Sequence, residues 1–490
     1  MSGTSGGGEA WPALLPEALL LLGAVAGLLT GLWTPQGQQW RVRVLVTAAC
    51  LASAGAAAVA LPGPAERVFE DTWVVDTTTG VVRIVVALGV AVLVWLAAPS
   101  VAGHPRETEA YVLMLLGALG AVGLAASGDL LLLVAAYLLA SVPLYALAGF
   151  AKDAAGTEAT MKYYLMGAFV GVLLMVGAAA LVLASGTTGY LDLAARLPQA
   201  SPALLAVGVL GVLAGVAFKA GAVPVHFWVP DVTAGTTPPM AAYITTIPKI
   251  GAVAAAFRLL AEPFAGLPLD VPLLVAVVAA ASMTLGNLAA FAQTDVLRLL
   301  AYSTVSQVGY LFMVVAVAAR TDLAVPALAV YLAGYAVTNI GAFAAVVATP
   351  AARTITDWAT AAGRHRWLVV SLVVCLLGLV GTPPTAVFVG KLAVFAATWD
   401  GALVWLVVVA AVNTVASLFY YLRWIAPAFA GVPAGPATAE GPAGAGPRTA
   451  AGTAQEVRRV PEVVLHAAAV MSLLLGVGAG VWLGVTTGSV

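Results

Sequence analysis

The sequence predicts an all-α integral membrane protein with about fourteen transmembrane helices, and two observations lead to this fold class. Hydrophobic residues make up 62% of the 490 residues, whereas charged residues make up only 9%. An average soluble protein has about 25% charged residues, so this chain lacks the polar surface that a soluble protein of its length needs. The stretches between charges also form successive apolar runs of about twenty residues, the length of a membrane-spanning helix.

The same composition excludes several classes of function. The net charge of −1 provides no basic surface for nucleic acid. The two cysteines, Cys50 and Cys375, both lie in apolar runs and are too few for an iron–sulfur cluster or a cysteine-based zinc site. The four histidines are scattered, and no Gly-rich phosphate loop lies between a strand and a helix. We therefore expect any redox chemistry to take place in another polypeptide.

Spans can be assigned by length, because about twenty residues rising 1.5 Å each cross the ~30 Å hydrocarbon layer. The predicted spans are 11–33, 44–62, 84–102, 110–128, 130–151, 163–184, 202–228, 240–257, 271–292, 298–319, 323–349, 367–398, 401–425 and 463–487. The first has no positively charged region before it, so it is interpreted as a mature span and not as a cleaved signal. Residues 431–455, rich in Ala, Gly, Pro and Thr, predict a flexible loop.

Positive charges in the loops predict the orientation. The odd-numbered loops contain Arg41, Arg43, Arg106, Lys152, Arg298, Arg353, Arg364, Arg366, Arg448, Arg458 and Arg459. The even-numbered loops contain only Arg67, Arg196, Arg258 and Arg320. Because cytoplasmic loops are enriched in Lys and Arg, this asymmetry places the odd loops in the cytoplasm and both termini on the outer face of the membrane.

Three lysines lie within the predicted spans: Lys219, Lys249 and Lys391. Lys249 lies ten residues after Pro239 and nine before Arg258, so about 15 Å of helix separates it from either end. A lysine stem cannot span that depth, and a charge there costs at least ~2.5–3.5 kcal/mol. One such lysine could be a structural group bonded to helix carbonyls. Three of them favour a proton relay, since an amine removed from water exchanges its proton more readily.

Two of these lysines lie beside expected helix breaks. Pro224 follows Lys219, and Pro383 and Pro384 precede Lys391, and each proline removes a backbone donor in mid-membrane. A single kink could be a packing feature, but a lysine and a break that recur five spans apart predict two inverted five-helix repeats with broken helices 7 and 12. The predicted units are 1–109 (spans 1–3), 110–258 (first repeat), 259–425 (second repeat), 426–462 (flexible loop) and 463–490 (span 14).

Two further residues are candidates for proton transfer. His226 lies just past the first break, and its ordinary pKa near 6.5 suits a relay, although a histidine hydrogen-bonded within the break is an equally good interpretation. Lys162 opens the sixth span, where an interfacial anchor is the simplest interpretation.

Several strings resemble a known family, the antiporter-like membrane subunits of respiratory complex I, and most of all the subunit N family of bacterial NADH–quinone oxidoreductases. The strings are 161–169 (MKYYLMGAF), 218–231 (FKAGAVPVHFWVPD), Pro248-Lys249, Gly286-Asn287, 298–303 (RLLAYS) and 382–391 (TPPTAVFVGK). The likeness extends from about Leu15 to the last span. It implies a proton-translocating subunit of the membrane arm, lying in the lipid bilayer beside the other membrane-arm subunits, with Lys219, Lys249 and Lys391 carrying protons. It also implies no cofactor in this chain, since NADH, FMN, iron–sulfur clusters and quinone belong to partner subunits.

One departure from the family pattern concerns the fifth span. The family has a glutamate three residues before the serine of a Ser-Leu-Pro-Leu-like motif, whereas this chain has Leu138 before Ser141-Val142-Pro143-Leu144. Without that carboxylate we expect Lys219 and the first half-channel to be weakly coupled or silent. Two alternatives therefore stay open beside complex I: a subunit of an Mrp-type cation/proton antiporter or membrane-bound hydrogenase, and a non-pumping structural subunit of the membrane arm.

Overall fold

The computed structural model describes residues 11–361, 366–430 and 451–479, and in these ranges the chain is predominantly α-helical. The helices of the first half are α1 (Leu15–Trp33), α2 (Trp40–Ala60), α3 (Thr77–Val101), α4 (Glu107–Ala126), α5 (Leu130–Leu139), α6 (Val142–Ala148), α7 (Ala154–Ser185), α8 (Tyr190–Arg196), α9 (Pro202–Ala220) and α10 (Trp228–Gly235). Those of the second half are α11 (Pro238–Ala261), α12 (Val271–Phe291), α13 (Val296–Ala316), α14 (Ala324–Ala348), α15 (Trp358–Ala361), α16 (Arg366–Val380), α17 (Ala386–Asp400), α18 (Val404–Ala430) and α19 (Ala451–Val477).

The remaining regular structure is short. Strands β1 (Glu66–Val68) and β2 (Trp73–Val75) form an antiparallel hairpin, with Glu66 opposite Val75. The 3-10 turns are Trp11–Leu14, Gln36–Gln38 and Leu197–Gln199. Two of these turns lie at the starts of candidate spans, and neither strand lies within one, so the predicted all-α architecture is confirmed.

The predicted number of spans agrees with the helices. Within the described ranges, thirteen helical segments are long and apolar enough to cross a membrane. The shorter helices α16 and α17 occupy the predicted twelfth span and together account for the fourteenth crossing. The predicted breaks are confirmed as well, because helix is interrupted between α9 and α10 and again between α16 and α17.

The structure differs from the sequence prediction in the fifth span. The continuous span expected at 130–151 is divided, since α5 ends at Leu139 and α6 begins at Val142. Pro143 has no N–H and cannot donate to the carbonyl of Leu139 four residues earlier, so the helical ladder is interrupted there. The chain thus has a third helix break that the span assignment missed.

The bounds of the predicted loop at 426–462 are also corrected. Helix α18 continues to Ala430, and α19 already begins at Ala451, so both ends of the predicted loop are helical. Ala, Gln, Glu and Arg residues after 451 are good helix formers, which outweighed the low-complexity pattern used to predict a loop. Residues 431–450, and 480–487 of the predicted last span, lie outside the described ranges.

Helices α11 and α13 form the centre of the bundle and are almost wholly buried along their length. Helix α11 packs against α3, α4, α9, α13 and α14. The peripheral helices α1, α7, α12 and α18 instead expose apolar side chains such as Leu32, Leu183, Leu288 and Val412. A helix buried on all sides needs no lipid-facing stripe, so the two central helices are free to carry polar groups inward.

A buried ion pair joins the first and third spans, and the sequence analysis did not predict it. Arg83 of α3 lies 2.6 Å (Nε to Oε1) and 2.9 Å (Nη2 to Oε2) from Glu17 of α1, and both side chains are buried. Arg83 also donates to the carbonyl of Ala13 at 2.9 Å. The predicted third span begins at residue 84 and leaves Arg83 at its edge, so the sequence indicates only the three lysines as deeply buried bases.

A second charged group lies where α3 begins and α11 ends. Arg258 contacts Asp76 at 2.9 Å and Glu262 at 3.2 Å, and Glu262 also pairs with Arg67 of the hairpin at 2.9 Å. Burial alone would raise the pKa of Asp76, but the positive charge of Arg258 and the hydrogen bonds from Arg258 and Thr79 outweigh it and lower that pKa. Asp76 is therefore ionised at neutral pH, and the group ties the hairpin to the ends of two spans.

The Arg83–Glu17 pair gives a test of this packing. Arg83→Leu leaves the Glu17 carboxylate buried without its partner, which should destabilise the protein by about 3–5 kcal/mol. The double variant Arg83→Leu/Glu17→Leu removes both charges and should recover most of that loss. Thermal unfolding of the purified protein in detergent measures both effects; equal destabilisation in the single and double variants would contradict the buried pair.

Candidate functional site

Lys219 lies in the last turn of α9, and its side chain is fully buried against the break in the fifth span. Its amine donates to the hydroxyl of Ser141 and, at 3.3 Å, to the carbonyl of Ala140. The Lys219 Nζ also lies 4.9 Å from the ring centroid of Tyr137. The interruption between α5 and α6 leaves the Ala140 carbonyl free to accept this bond, because the next N–H groups bond to Ser141 instead.

Leu138 does not face Lys219. Its side chain is 44% exposed on the outside of the bundle, whereas Tyr137, Ala140 and Ser141 point inward to the amine. The position at which the family pattern has a glutamate is therefore on the outer surface of this chain. Its replacement by leucine does not remove a side chain from the immediate surroundings of Lys219.

Lys249 lies in mid-helix on the central helix α11 and is fully buried. Its amine donates to the hydroxyl of Thr304 on α13 at 2.7 Å. The amine also lies against Gly221, which ends α9 with φ +77°; a Cβ at Gly221 would stand 3.2 Å from the Lys249 Nζ. A glycine at this turn thus brings the break in the seventh span next to Lys249.

Lys391 lies on α17, just after the break in the twelfth span, and is buried. Its amine donates to the carbonyl of Val380 at 2.9 Å and to the hydroxyl of Thr414 at 3.4 Å, and lies 3.9 Å from the ring centroid of Tyr310. Val380 is the last residue of α16, so its carbonyl has no continuing helix to bond to. Both lysines at broken spans therefore bond to a carbonyl that a break has released.

Four polar side chains on α13 line the space between Lys249 and Lys391. They are Ser303, Thr304, Gln307 and Tyr310, and all four are buried. Thr304, Gln307 and Tyr310 recur every three residues, and Ser303 lies four residues before Gln307. This spacing places the four side chains on one side of the helix. From Thr304 to Tyr310 the helix rises about 9 Å, so this polar stripe runs from the partner of Lys249 to the aromatic ring over which Lys391 lies.

Gln307 connects the stripe to the twelfth-span break. Its amide donates to the carbonyl of Leu379 at 2.8 Å, and its oxygen accepts from the hydroxyl of Tyr331 at 2.5 Å. Leu379 is the neighbour of Val380, whose carbonyl binds Lys391. Gln307 and Lys391 therefore bond to two successive carbonyls at the end of α16, which joins the Lys249 and Lys391 surroundings into one polar region.

His226 and Lys162 occupy different environments. His226 is buried just before α10, and its Nδ1 has no hydrogen-bond partner among the described residues. Lys162 is 45% exposed and pairs with Glu158 at 2.8 Å and with Asp231 at 3.1 Å. The structure therefore leaves His226 with a free buried nitrogen, whereas Lys162 has the surroundings of an interfacial anchor.

Lys219, Lys249 and Lys391 form no ion pair with any of the described residues. Hydroxyls, carbonyls and aromatic rings surround these amines instead. In the same ranges no cluster of three or more His, Cys, Asp or Glu side chains could hold a metal ion. A lysine amine in such surroundings can bind and release a proton.

Comparison with known proteins identifies the family. Residues 127–417 match the model of the family described as NADH:quinone oxidoreductase/Mrp antiporter, transmembrane. The chain belongs to this family. A Streptomyces griseus relative named NADH-quinone oxidoreductase subunit N 1 is 52% identical over 96% of both chains. A Mycobacterium relative named NADH-quinone oxidoreductase subunit N is 47% identical over 96% of this chain and 97% of its own.

Solved structures agree with the assignment to the NADH:quinone oxidoreductase/Mrp antiporter family. A chain of respiratory complex I from Thermus thermophilus, solved with bound aureothin, matches with a TM-score of 0.77 and 28% identity, over 96% of this chain and 98% of that one. A chain of the Mrp complex from Dietzia matches with a TM-score of 0.80 at 21% identity, over 99% and 97% of the two chains, and shows the fold alone. The protein is a multi-pass membrane subunit with the antiporter-like fold.

The sequence analysis missed the polar stripe of α13, although it quoted the string that leads into it. Residues 302–310 (YSTVSQVGY) place six hydroxyl or amide side chains within one predicted span, which is itself unusual in hydrocarbon. This number of polar side chains in one span was the sequence feature that could have predicted the polar stripe.

Gln307 provides a test of the connection between Lys249 and Lys391. Gln307→Leu keeps the approximate volume but removes the amide that binds the Leu379 carbonyl and Tyr331, so proton transfer between the two lysines should fall severalfold. The measurement is protons translocated per electron in vesicles that contain the assembled complex. Asn287→Leu removes a buried amide that bonds to Asn413 outside the stripe and should leave this ratio unchanged; equal losses in both variants would contradict the connection.

Proposed function

We propose that the chain is the proton-translocating subunit N of a bacterial NADH–quinone oxidoreductase, and that it couples quinone reduction elsewhere in the complex to proton transfer along its buried lysines. Two relatives that cover nearly the whole chain and carry the subunit N name support this assignment. In this proposal the protein lies in the plasma membrane with both termini on the outer face and contacts the other membrane-arm subunits. NADH, FMN, iron–sulfur clusters and quinone are bound by those partners.

The observation that carries the proposal is the polar stripe of α13 between Lys249 and Lys391. An amine that donates to a hydroxyl and a carbonyl can release one proton to water or to a neighbouring hydroxyl and take up another, without any change in redox state. Thr304 meets Lys249 at one end, and Tyr310 with Thr414 meets Lys391 at the other. We assign proton transfer in the second repeat, 259–425, to this route.

The first repeat, 110–258, joins the route at the seventh-span break. Gly221 brings that break against Lys249, while Lys219 lies two residues before Gly221, the glycine that caps the same helix. His226, buried on the far side of the break with an unpartnered Nδ1, is assigned to proton exchange there. The breaks at Pro224 and at Pro383 and Pro384 supply the carbonyls and the space that a hydrated route needs. Lys162 is left out of this route.

The surroundings of Lys219 change one expectation from the sequence. Because Leu138 stands where the family pattern has a glutamate, the sequence predicts that Lys219 lacks a charged partner. However, none of the three lysines has a carboxylate partner in the described residues, and Lys219 and Lys391 have the same kinds of neighbours. The physical reason for treating the first half-channel alone as silent is therefore gone, and the non-pumping alternative loses its main support. The Mrp alternative is supported by the family description, which names both groups, and by likeness of fold. The relatives at 52% and 47% identity carry the subunit N name instead.

Lys391 is the first residue to test. Lys391→Met should abolish proton translocation that depends on this subunit, because a thioether cannot carry a proton, while electron transfer from NADH to an artificial acceptor continues. Lys391→Arg should fail as well, since a guanidinium does not release its proton at physiological pH. Proton-to-electron ratios in membrane vesicles provide the measurement. A normal ratio in the methionine variant would overturn the proposed function.

Lys219 separates an active first repeat from a silent one. Lys219→Met should lower the proton-to-electron ratio just as Lys391→Met does, because the two lysines have equivalent surroundings. Lys152→Met, which removes an exposed lysine from a loop, is the matched control and should leave the ratio unchanged. A loss in Lys391→Met with a normal ratio in Lys219→Met would restrict the route to the second repeat.

A further inference from the structure

The two lysines at broken spans share a three-part set of neighbours. Each amine donates to a carbonyl released by a helix break, Ala140 for Lys219 and Val380 for Lys391. Each also donates to a hydroxyl, that of Ser141 or that of Thr414. The third neighbour is in both cases the face of a buried tyrosine ring. We call this arrangement the lysine cradle.

The tyrosine contacts in the lysine cradle are made by the ring and not by the hydroxyl. The Lys391 Nζ lies 3.9 Å from the ring centroid of Tyr310, and the Lys219 Nζ lies 4.9 Å from that of Tyr137. The Tyr310 hydroxyl instead bonds to Thr414 at 2.9 Å and lies 3.3 Å from the Ala410 carbonyl, and the Tyr137 hydroxyl has no partner among the described residues. A cation within about 6 Å of a ring centroid is attracted by the negative face of the ring, more strongly when water is excluded.

These two tyrosines come from spans that correspond in the predicted repeats. Tyr137 lies on α5 in the second span of the first repeat, and Tyr310 lies on α13 in the second span of the second repeat. Both are buried, and each lies on a different helix from the lysine whose amine it contacts. A packing accident at one lysine would not be expected to recur at the corresponding span of the other repeat.

We propose that the ring of Tyr310 is the counter-group of Lys391, stabilising its charged amine where no carboxylate is available, and that Tyr137 does the same for Lys219. This inference rests on the proposed function of the lysines. In it the tyrosines are positioning residues: the ring neither takes nor gives the proton, but it determines how often the amine is charged and ready to transfer. Removing the attraction of the ring should lower the ratio of charged to neutral amine about tenfold.

Ring fluorination of residue 310 tests this directly. The reference variant is Tyr310→Phe. Phenylalanines with one, two and three ring fluorines are then incorporated at position 310 as unnatural amino acids. Each fluorine withdraws electron density from the ring face with little change in volume, so packing is nearly constant while the attraction for the amine declines. We expect the proton-to-electron ratio of the assembled complex to fall stepwise with each fluorine. We also expect Tyr310→Leu to fall below Tyr310→Phe.

Three comparisons decide the outcome. The same fluorinated series at Tyr190 should leave the ratio unchanged, because Tyr190 is a buried tyrosine over whose ring no amine of the described residues lies. A ratio at position 310 that does not depend on fluorine number, while Lys391→Met stops translocation in the same vesicles, overturns the ring proposal and leaves the proposed function standing. If Lys391→Met itself translocates normally, the proposed function and the ring proposal both fail.

Discussion

The constraint on which the structure depends is the need to satisfy three lysine amines that lie far from water. Each buried charge costs at least ~2.5–3.5 kcal/mol, and an amine can offset this cost only through acceptors held around it. In a continuous helix each carbonyl already accepts a bond from an N–H four residues on, whereas a carbonyl at a helix break has no such bond. Helix breaks release such carbonyls. Breaks therefore occur where the chain brings Lys219 and Lys391 to them.

The position of the polar helices follows from the same constraint. Helix α13 carries Ser303, Thr304, Gln307 and Tyr310, and such side chains cannot face lipid without losing their hydrogen bonds. The helix is consequently enclosed by α10, α11, α12, α14 and α17, and the apolar exposure is left to peripheral helices. Apolar spans that surround the polar helices separate them from lipid. One chain can therefore contain a continuous set of hydrogen-bonded side chains inside a bilayer.

Properties that depend on the local sequence could be predicted, and contacts between distant segments could not. Apolar run length gave most of the spans, and Pro224, Pro383 and Pro384 marked the two breaks because proline acts on its own helix. The fifth-span break was missed since Pro143 lies near the end of an apolar run and was interpreted as part of it. The neighbours of the lysines, such as Thr304 and Tyr310, come from helices distant in sequence, so no local pattern could identify them. Arg83 was misassigned because its partner, Glu17, lies on another span.

In the part of the chain that the structure describes, no carboxylate pairs with the three lysines, and this has a physical consequence for the proposed proton transfer. A carboxylate in contact attracts an ammonium group strongly in a medium of low dielectric constant, so the pair tends to stay charged until one partner moves or is protonated. A carbonyl, a hydroxyl and a ring face attract the same ammonium less strongly and carry no net charge. The amine can then lose its proton without leaving an uncompensated negative charge behind in the membrane. For Lys219 and Lys391 the neutral lysine cradle thus permits both protonation states. An apolar Leu138 on the outer surface is therefore compatible with the proton transfer that we propose for Lys219.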